Sequence, residues 1–117
     1  MIVTRESLKP IEFDGLRIFD YTAGQQVGAS LAVIDVPSGA THAEAWSRRS
    51  DKYYLVLGGE IHFVLDGDAR VLTAGDFCLV RRGHHFSYSN DGAGTATLLL
   101  VHEPSFDLNE EVFVDSR

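Results

Sequence analysis

The chain has 117 residues, a length that corresponds to one domain and is too short for two. Its 17 acidic residues outnumber its 10 Lys and Arg residues, so the formal net charge is -7 at pH 7. A charge of this sign argues against nucleic acid or an anionic membrane surface as a partner. Because no apolar run has the length of a signal-peptide core or a bilayer span, the sequence predicts a cytoplasmic protein with 1–117 as a single domain.

Short β-like runs fill most of the chain after residues 1–10, which end at Pro10 and are expected to be a lead-in segment or an edge strand. The runs are rich in β-branched, aromatic and aliphatic residues and are separated by Gly, Asp, Pro and Ser. Asp66-Gly67-Asp68 indicates a hairpin. No window of ten residues has helical periodicity, so the pattern predicts an all-β sandwich or barrel. The six predicted strands are 16–19, 29–36, 53–57, 60–65, 69–73 and 95–101.

Two stretches in the middle of the chain, 39–60 and 75–90, are framed by glycines at regular spacing. The framing residues are Gly39, Gly59, Gly75, Gly83 and Asn90. Their spacing resembles the two signature motifs of the cupin superfamily. The resemblance implies a jelly-roll β-barrel with its core at about 27–101 and a small-molecule pocket inside. It also favours a homodimer, to which the tail 102–117 could contribute a strand at Glu111–Asp115, unless that strand covers an edge of its own sheet.

The cupin motifs usually supply metal ligands, two His and a Glu from the first and a His from the second. At family spacing these positions hold Ala45, Ser47, Lys52 and Phe86 instead.

An offset register provides another metal hypothesis, because His42 and Glu44 are two residues apart and would face the same way on a strand. This pair predicts a site for a divalent Fe, Mn, Ni, Zn or Cu ion. Asp51, and either His84 or His85, could complete it. The alternative is that His42 and Glu44 are loop residues before the strand.

Lys52 is the second candidate for chemistry, since the family's Glu position should face the barrel interior. A desolvated lysine could act as a base or a Schiff-base nucleophile. The alternatives are a side chain that points to water or a salt bridge to Asp51, to Glu44 or to a partner subunit.

Period-two alternation in the second motif places Phe86, Tyr88 and Asn90 on one face. With Tyr54 and Trp46 they would line an aromatic pocket with a few polar tips, which suits a sugar, a nucleotide or another flat molecule. The alternative is that these rings simply fill the core.

The other histidines, the single cysteine and two pairs of arginines are weaker candidates for a functional site. At most one of the adjacent His84 and His85 could enter a site, and His102 could stand near the barrel mouth. His62 would lie outside the barrel if its neighbours Ile61 and Phe63 form the core, but it could equally be the inward residue. The single Cys78 lies in an apolar run and is expected in the core. Two arginine pairs, 48–49 and 81–82, could form a rim that attracts an anionic ligand.

Two functions follow from these residues. The first is an isomerase-like, epimerase-like or oxygenase-like enzyme that uses His42, Glu44, Lys52 and Tyr88 for acid–base work. The second is a binding or sensor module without catalysis, in which the metal ligands have been replaced by an aromatic pocket. Fold alone does not choose between them.

Overall fold

The structure is a computed structural model that describes residues 1–114. Eleven β-strands and two single-turn 3₁₀ helices, Arg5–Ser7 and Leu108–Glu110, make up its regular structure. No helix in this range is long and apolar enough to cross a membrane. The strands are β1 (Ile11–Phe13), β2 (Leu16–Asp20), β3 (Ser30–Val36), β4 (Thr41–Ser47), β5 (Asp51–Gly58), β6 (Glu60–Leu65), β7 (Asp68–Thr73), β8 (Phe77–Val80), β9 (Phe86–Ser89), β10 (Ala96–Glu103) and β11 (Glu111–Phe113).

The strands form two antiparallel sheets that enclose one core, as the predicted all-β jelly-roll barrel requires. One sheet has six strands in the order β1-β2-β3-β10-β5-β8, and the other has five in the order β11-β4-β9-β6-β7. All six predicted strands are present, and their boundaries differ from the prediction by at most two residues. The hairpin at Asp66–Gly67 joins β6 to β7, and both residues have positive φ.

The core lies between the two sheets and is filled by alternate residues of the strands that face it. In β3, β5, β9 and β10 every second residue is buried, which is the period-two pattern of a sheet with one face covered. Four aromatic rings meet in its centre, with Tyr54 against Phe63 at 5.3 Å and Phe63 against Tyr88 at 5.6 Å between ring centroids. The fourth ring is Phe86, at 5.7 Å from Tyr54.

Gly59, which ends the first glycine-framed stretch, has a steric reason to be glycine. Its φ is +73°, and a Cβ there would lie 2.7 Å from the Cα of Ala96. The turn between β5 and β6 therefore packs directly on the start of β10, and only a residue without a side chain fits.

The C-terminal segment returns to the barrel and pairs with it. Glu111–Phe113 forms β11 and lies antiparallel to β4 of the same chain, with Val112 opposite Trp46. Asp115, the last residue of the strand expected from the sequence, lies outside the described residues. This pairing matters for the site because it brings Glu111 to the open end of the barrel.

Candidate active site

A cavity of about 280 Å³ opens at one end of the barrel. Most of its wall is apolar and comes from the inner face of the six-stranded sheet and from the C-terminal segment. Polar side chains from β4, β5, β9, β10 and β11 lie next to one another in it, and Asp20 of β2 and Ser30 of β3 are the other polar residues of the wall. The residues that line it are Ile11, Phe13, Leu16, Ile18, Asp20, Ser30, Leu31, Ala32, Ile34, His42, Lys52, Tyr54, Tyr88, Leu100, His102, Phe106, Leu108, Glu111 and Phe113.

Lys52 is buried in this cavity and is held by two partners. Its ammonium group forms an ion pair with the carboxylate of Glu111 and lies 2.9 Å from Nε2 of His102. Desolvation lowers the pKa of Lys52, and the Glu111 carboxylate works against that shift. The predicted lysine salt bridge therefore exists, but its partner is neither Asp51 nor Glu44, because β11 places Glu111 closer.

His102 is the neutral member of this group. Burial, followed by the charge of Lys52, lowers the pKa of His102 to about 3. An ammonium can only donate, so Nε2 of His102 accepts from Lys52, which leaves the imidazole proton on Nδ1.

We expect the low pKa of His102 to make the fold acid-sensitive. An unfolded histidine binds its proton near pH 6.5, whereas the folded group resists protonation down to about pH 3. This part of the stability is therefore present above pH 6.5 and is lost as the pH falls, by about 3 kcal/mol near pH 4. Urea unfolding at a series of pH values measures it. His102→Gln should reduce the slope, to which His42 also contributes because burial lowers its pKa as well, and an unchanged slope in that variant would contradict the assignment.

His42 enters the cavity because β4 contains a β-bulge. Thr41 and His42 pair with Ser89 and Tyr88, but the next pair joins Ala45 to Phe86, so β4 has one extra residue here. His42 Nδ1 lies 2.7 Å from the carbonyl oxygen of Ala43, which can only accept. The proton must therefore be on Nδ1, and Nε2 has a free lone pair. Burial lowers the pKa of His42, so the ring is neutral at pH 7 and suited to act as a base.

Two tyrosines beside His42 remain protonated and can donate hydrogen bonds. The His42 and Tyr88 rings lie 5.1 Å apart, and Tyr54 lies 5.8 Å from Tyr88. Burial raises the pKa of both phenols. The hydroxyl of Tyr88 and Oε2 of Glu111 are buried with no hydrogen-bond partner among the described residues. Since unpaired buried polar atoms are costly, these two atoms indicate where a polar ligand would bind.

The structure does not bring the other predicted site residues into the cavity. Glu44 lies past the bulge on the outside of the barrel, where its carboxylate is 2.9 Å from Nδ1 of His85. His42 and Glu44 therefore do not face the same way. Trp46 also points outward and stacks on His85 at 5.9 Å.

Phe86 and Asn90 are buried, but neither lines the cavity. Phe86 packs in the aromatic core. The Asn90 amide donates to the carbonyl oxygens of Val36 and Gly94 and accepts from the amide of Gly92, so it fixes the turn after β9.

The remaining histidines and arginines lie on the surface. His84 pairs with Asp66 at 2.5 Å, and neither it nor His85 enters the cavity. His62 faces outward from β6, because the alternate residues Ile61 and Phe63 are the ones buried in the core. A polar surface pocket contains three of the four arginines expected to form a basic rim, together with two acidic residues; its lining includes Arg49, Asp51, Arg81, Arg82 and Glu103.

The residues at the cupin ligand positions do not fit a divalent metal. Ala45, Ser47, Lys52 and Phe86 are all buried and hence inward, but they present a methyl group, a hydroxyl, an ammonium and a phenyl ring. The one oxygen among them, Ser47 Oγ, already accepts from the amides of residues 49 and 50. No group of three or more His, Cys, Asp or Glu side chains within residues 1–114 is arranged to hold a metal.

Glu111 was not predicted as a site residue from the sequence. For His102, the sequence predicted only a position near the mouth of the barrel. Glu111 lies 59 residues from Lys52, and no local pattern connects them. One feature of the sequence could have indicated Glu111, since an inward Lys52 requires an acidic partner. The alternating residues 111–113 contain such an acidic residue.

Comparison with known proteins identifies the family of this chain and one curated relative. A family model described as "Cupin domain" matches residues 32–102. A curated protein of Myxococcus xanthus, named endoribonuclease YbeY, is 32% identical over 96 residues. That match covers 80% of this chain but only 32% of the relative, so the chain spans about a third of that protein's length.

Solved structures of one Streptomyces protein, PAC13, are similar along almost the whole chain. Its H42Q variant with uridine shares 25% identity at a TM-score of 0.81, covering 96% of this chain and 88% of that one. In a second structure, PAC13 is described as a nucleoside dehydratase. Two further structures contain tyrosine-to-phenylalanine variants of PAC13 with uridine. A predicted oxalate decarboxylase from Thermotoga maritima has a TM-score of 0.78 at 19% identity, covering 89% of this chain and 99% of that one.

Proposed function

This chain belongs to the cupin family, and from that premise we propose that it is an acid–base enzyme that removes water from a nucleoside-like substrate in the barrel cavity. The observation that carries the proposal is that His42, Tyr54 and Tyr88 all line that cavity, with the Tyr88 ring 5.1 Å from His42 and 5.8 Å from Tyr54. Its neutral imidazole can take a proton, and its two phenols can donate hydrogen bonds. The uridine complexes of the Streptomyces protein with histidine and tyrosine variants support the same residue types.

The shape and polarity of the cavity favour a ligand with one flat apolar part and one hydroxylated part. A volume of about 280 Å³ suits a small metabolite. Phe13 and Phe113, with ring centroids 5.7 Å apart, form part of the apolar wall. On the polar side, a ligand hydroxyl can donate to the unpaired Oε2 of Glu111 and can pair with the Tyr88 hydroxyl. A nucleobase with its ribose has both parts.

Water removal from such a substrate needs an acidic C–H bond beside a carbonyl group. Nε2 of His42 takes that proton, and the electron pair moves towards the carbonyl oxygen. Tyr54 or Tyr88 donates a hydrogen bond to the developing oxyanion. The double bond then forms as the β-hydroxyl leaves, and the protonated His42 returns its proton to it. One water is released, and no oxidant or reductant is used.

A binding module without catalysis is the second candidate. The observation that favours it is the replacement of the family's ligand positions by Ala45, Ser47, Lys52 and Phe86. The enzyme and the binding module would use the same cavity and bind the same ligand. They differ only in whether the bound ligand loses water.

Two measurements on the purified chain test the proposal. The first is titration with uridine, followed by NMR. We expect saturable shifts that Tyr88→Phe weakens about tenfold without loss of stability, because the lost hydroxyl has no partner in the fold. Tyr53→Phe, on the outer face of β5, is the matched control and should leave the affinity for uridine unchanged.

The second measurement is mass spectrometry after incubation with nucleosides oxidised to a carbonyl on the ribose, to detect the loss of one water. Binding with water loss supports the enzyme. Binding without it, for every oxidised nucleoside, supports the binding module. Absence of binding by uridine and by the oxidised nucleosides would overturn the nucleoside proposal.

A further inference from the structure

A second pocket, which we call the arginine pocket, lies on the surface where β5 begins and β10 ends. Its volume is about 420 Å³, and almost all of its lining is polar. The basic members of the lining are Arg49, Arg81, Arg82 and His84, and the acidic members are Asp51 and Glu103. The arginine pocket shares no residue with the barrel cavity. A ligand bound there would therefore be separate from the nucleoside-like substrate proposed above.

The charge of the arginine pocket is opposite to that of the whole chain. Three guanidinium groups face two carboxylates in the pocket, whereas the chain has 17 acidic residues for 10 Lys and Arg. Within residues 1–114, none of Arg49, Arg81 and Arg82 forms an ion pair with a carboxylate. Positive charges gathered in one pocket repel one another, and an anion bound among them would remove that repulsion.

The two carboxylates of the pocket do not neutralise the arginines. Oδ1 of Asp51 accepts a hydrogen bond from the backbone amide of Arg82 at 2.8 Å, so Asp51 holds the main chain and not a guanidinium group. Glu103 lies opposite Asp51 in the pairing of β10 with β5. The acidic residues therefore support the frame of the pocket and leave the guanidinium groups available to a ligand.

The turn that carries two of the arginines is fixed by backbone hydrogen bonds. The amide of His84 donates to the carbonyl oxygen of Arg81 at 3.0 Å, and the amide of Gly83 donates to the carbonyl oxygen of Ser47 at 2.9 Å. Gly83 has a φ of +87°, a conformation that favours glycine. Because the turn is already ordered, a ligand would not bear the entropy cost of ordering it.

Arg49 is also held in place, by the segment that follows β10. Its Nε donates to the carbonyl oxygen of Ser105 at 2.8 Å, and its Nη2 lies 3.4 Å from the hydroxyl oxygen of the same residue. These contacts use one edge of the guanidinium group. Nη1 makes no hydrogen bond within the described part of the chain, so its two N–H groups can donate to a ligand.

We propose that the arginine pocket binds a phosphate group, either as inorganic phosphate or as the phosphate of a small ester. Guanidinium groups form paired hydrogen bonds with phosphate oxygens, and a tetrahedral phosphate presents enough oxygens for several of them at once. A planar carboxylate offers only two oxygens and a single charge. Because the arginines are exposed and water screens their charge, we expect a dissociation constant of about 1 mM.

Isothermal titration calorimetry of the full chain with inorganic phosphate, at constant ionic strength, tests the proposal. We expect one saturable site. Arg81→Gln and Arg82→Gln should each raise the dissociation constant at least about fivefold, because each removes one charged fork. Both variants should fold, since the side chains are exposed and the turn is held through backbone amides. Arg82→Lys keeps the charge but loses the fork, and it should still weaken binding about threefold.

A titration with ribose 5-phosphate distinguishes the two sources of the phosphate group. An affinity no higher than that of inorganic phosphate would assign the pocket to the free ion. A clearly higher affinity would assign it to a phosphorylated metabolite. In both cases Arg82→Gln must weaken binding, which separates the arginine pocket from the barrel cavity as the place where the ester binds.

Arg48→Gln is the matched control, because it removes the same charge from an exposed neighbour of Arg49. The Arg48 guanidinium lies 5.5 Å from the ring centroid of Trp46 and does not line the pocket. The control should leave the dissociation constant unchanged. No saturable binding of phosphate up to about 20 mM would overturn the proposal. It would also be overturned if Arg82→Gln had no effect, or if Arg48→Gln weakened binding as much as Arg82→Gln does.

Discussion

Replacing His42 with glutamine is expected to lower the turnover number for water removal about 10³-fold, while uridine still binds within about threefold of wild type. Glutamine keeps a donor for the carbonyl oxygen of Ala43, so the bulge and the cavity should keep their shape. What is lost is the basic Nε2. The loss should therefore appear in kcat and not in ligand affinity.

The pH profile distinguishes a proton-transfer role from a structural one. Because burial lowers the pKa of His42 below its usual 6.5, the wild-type rate should be level near pH 7 and fall as the pH drops through the lowered value. The slow reaction of His42→Gln should lack this limb. Glu44→Gln is the control, because Glu44 is two residues away but outside the barrel. A His42→Gln enzyme that keeps more than a tenth of wild-type turnover would contradict the assignment of His42 as base.

Breaking the Lys52–Glu111 ion pair is expected to cost about 3–5 kcal/mol of stability. The side chains expose only 4% and 5% of their surface, so either partner left alone is a buried charge without compensation. Lys52→Met and Glu111→Leu should each show the loss in urea unfolding. For a domain of this size the loss is a large fraction of the total free energy of unfolding.

The double variant decides whether the cost comes from the pair. Lys52→Met combined with Glu111→Leu should recover most of the loss, since no buried charge remains. Arg70→Met tests the exposed Asp68–Arg70 pair for comparison and should cost no more than about 1 kcal/mol. If the losses of the two single variants simply add in the double variant, the residues act independently and the ion-pair explanation is wrong.

Much of the barrel could be predicted because its signals are local. Six strands were visible as apolar runs, and alternation also marked β9 in the second motif and β11 in the tail. The other three strands were not predicted, because β1 and β8 have only three and four residues and a bulge interrupts the alternation of β4. The inward direction of Lys52 and Phe86 followed from the glycine framework and from period-two alternation. Asn90 was expected inward for the same reason and is buried, but it serves the backbone of a turn instead of a ligand.

The sequence by itself determined the all-β class, the cupin framework and the aromatic residues that fill the core, since each depends on spacing within a few residues. Only the tertiary structure decided which polar groups meet. One extra residue in β4 turns His42 inward and Glu44 outward, and periodicity cannot predict a bulge. Glu111 reaches Lys52 because the chain folds back along β4, a pairing set by packing across 59 residues. The site therefore depends on a local irregularity and a long-range contact, neither of which local patterns encode.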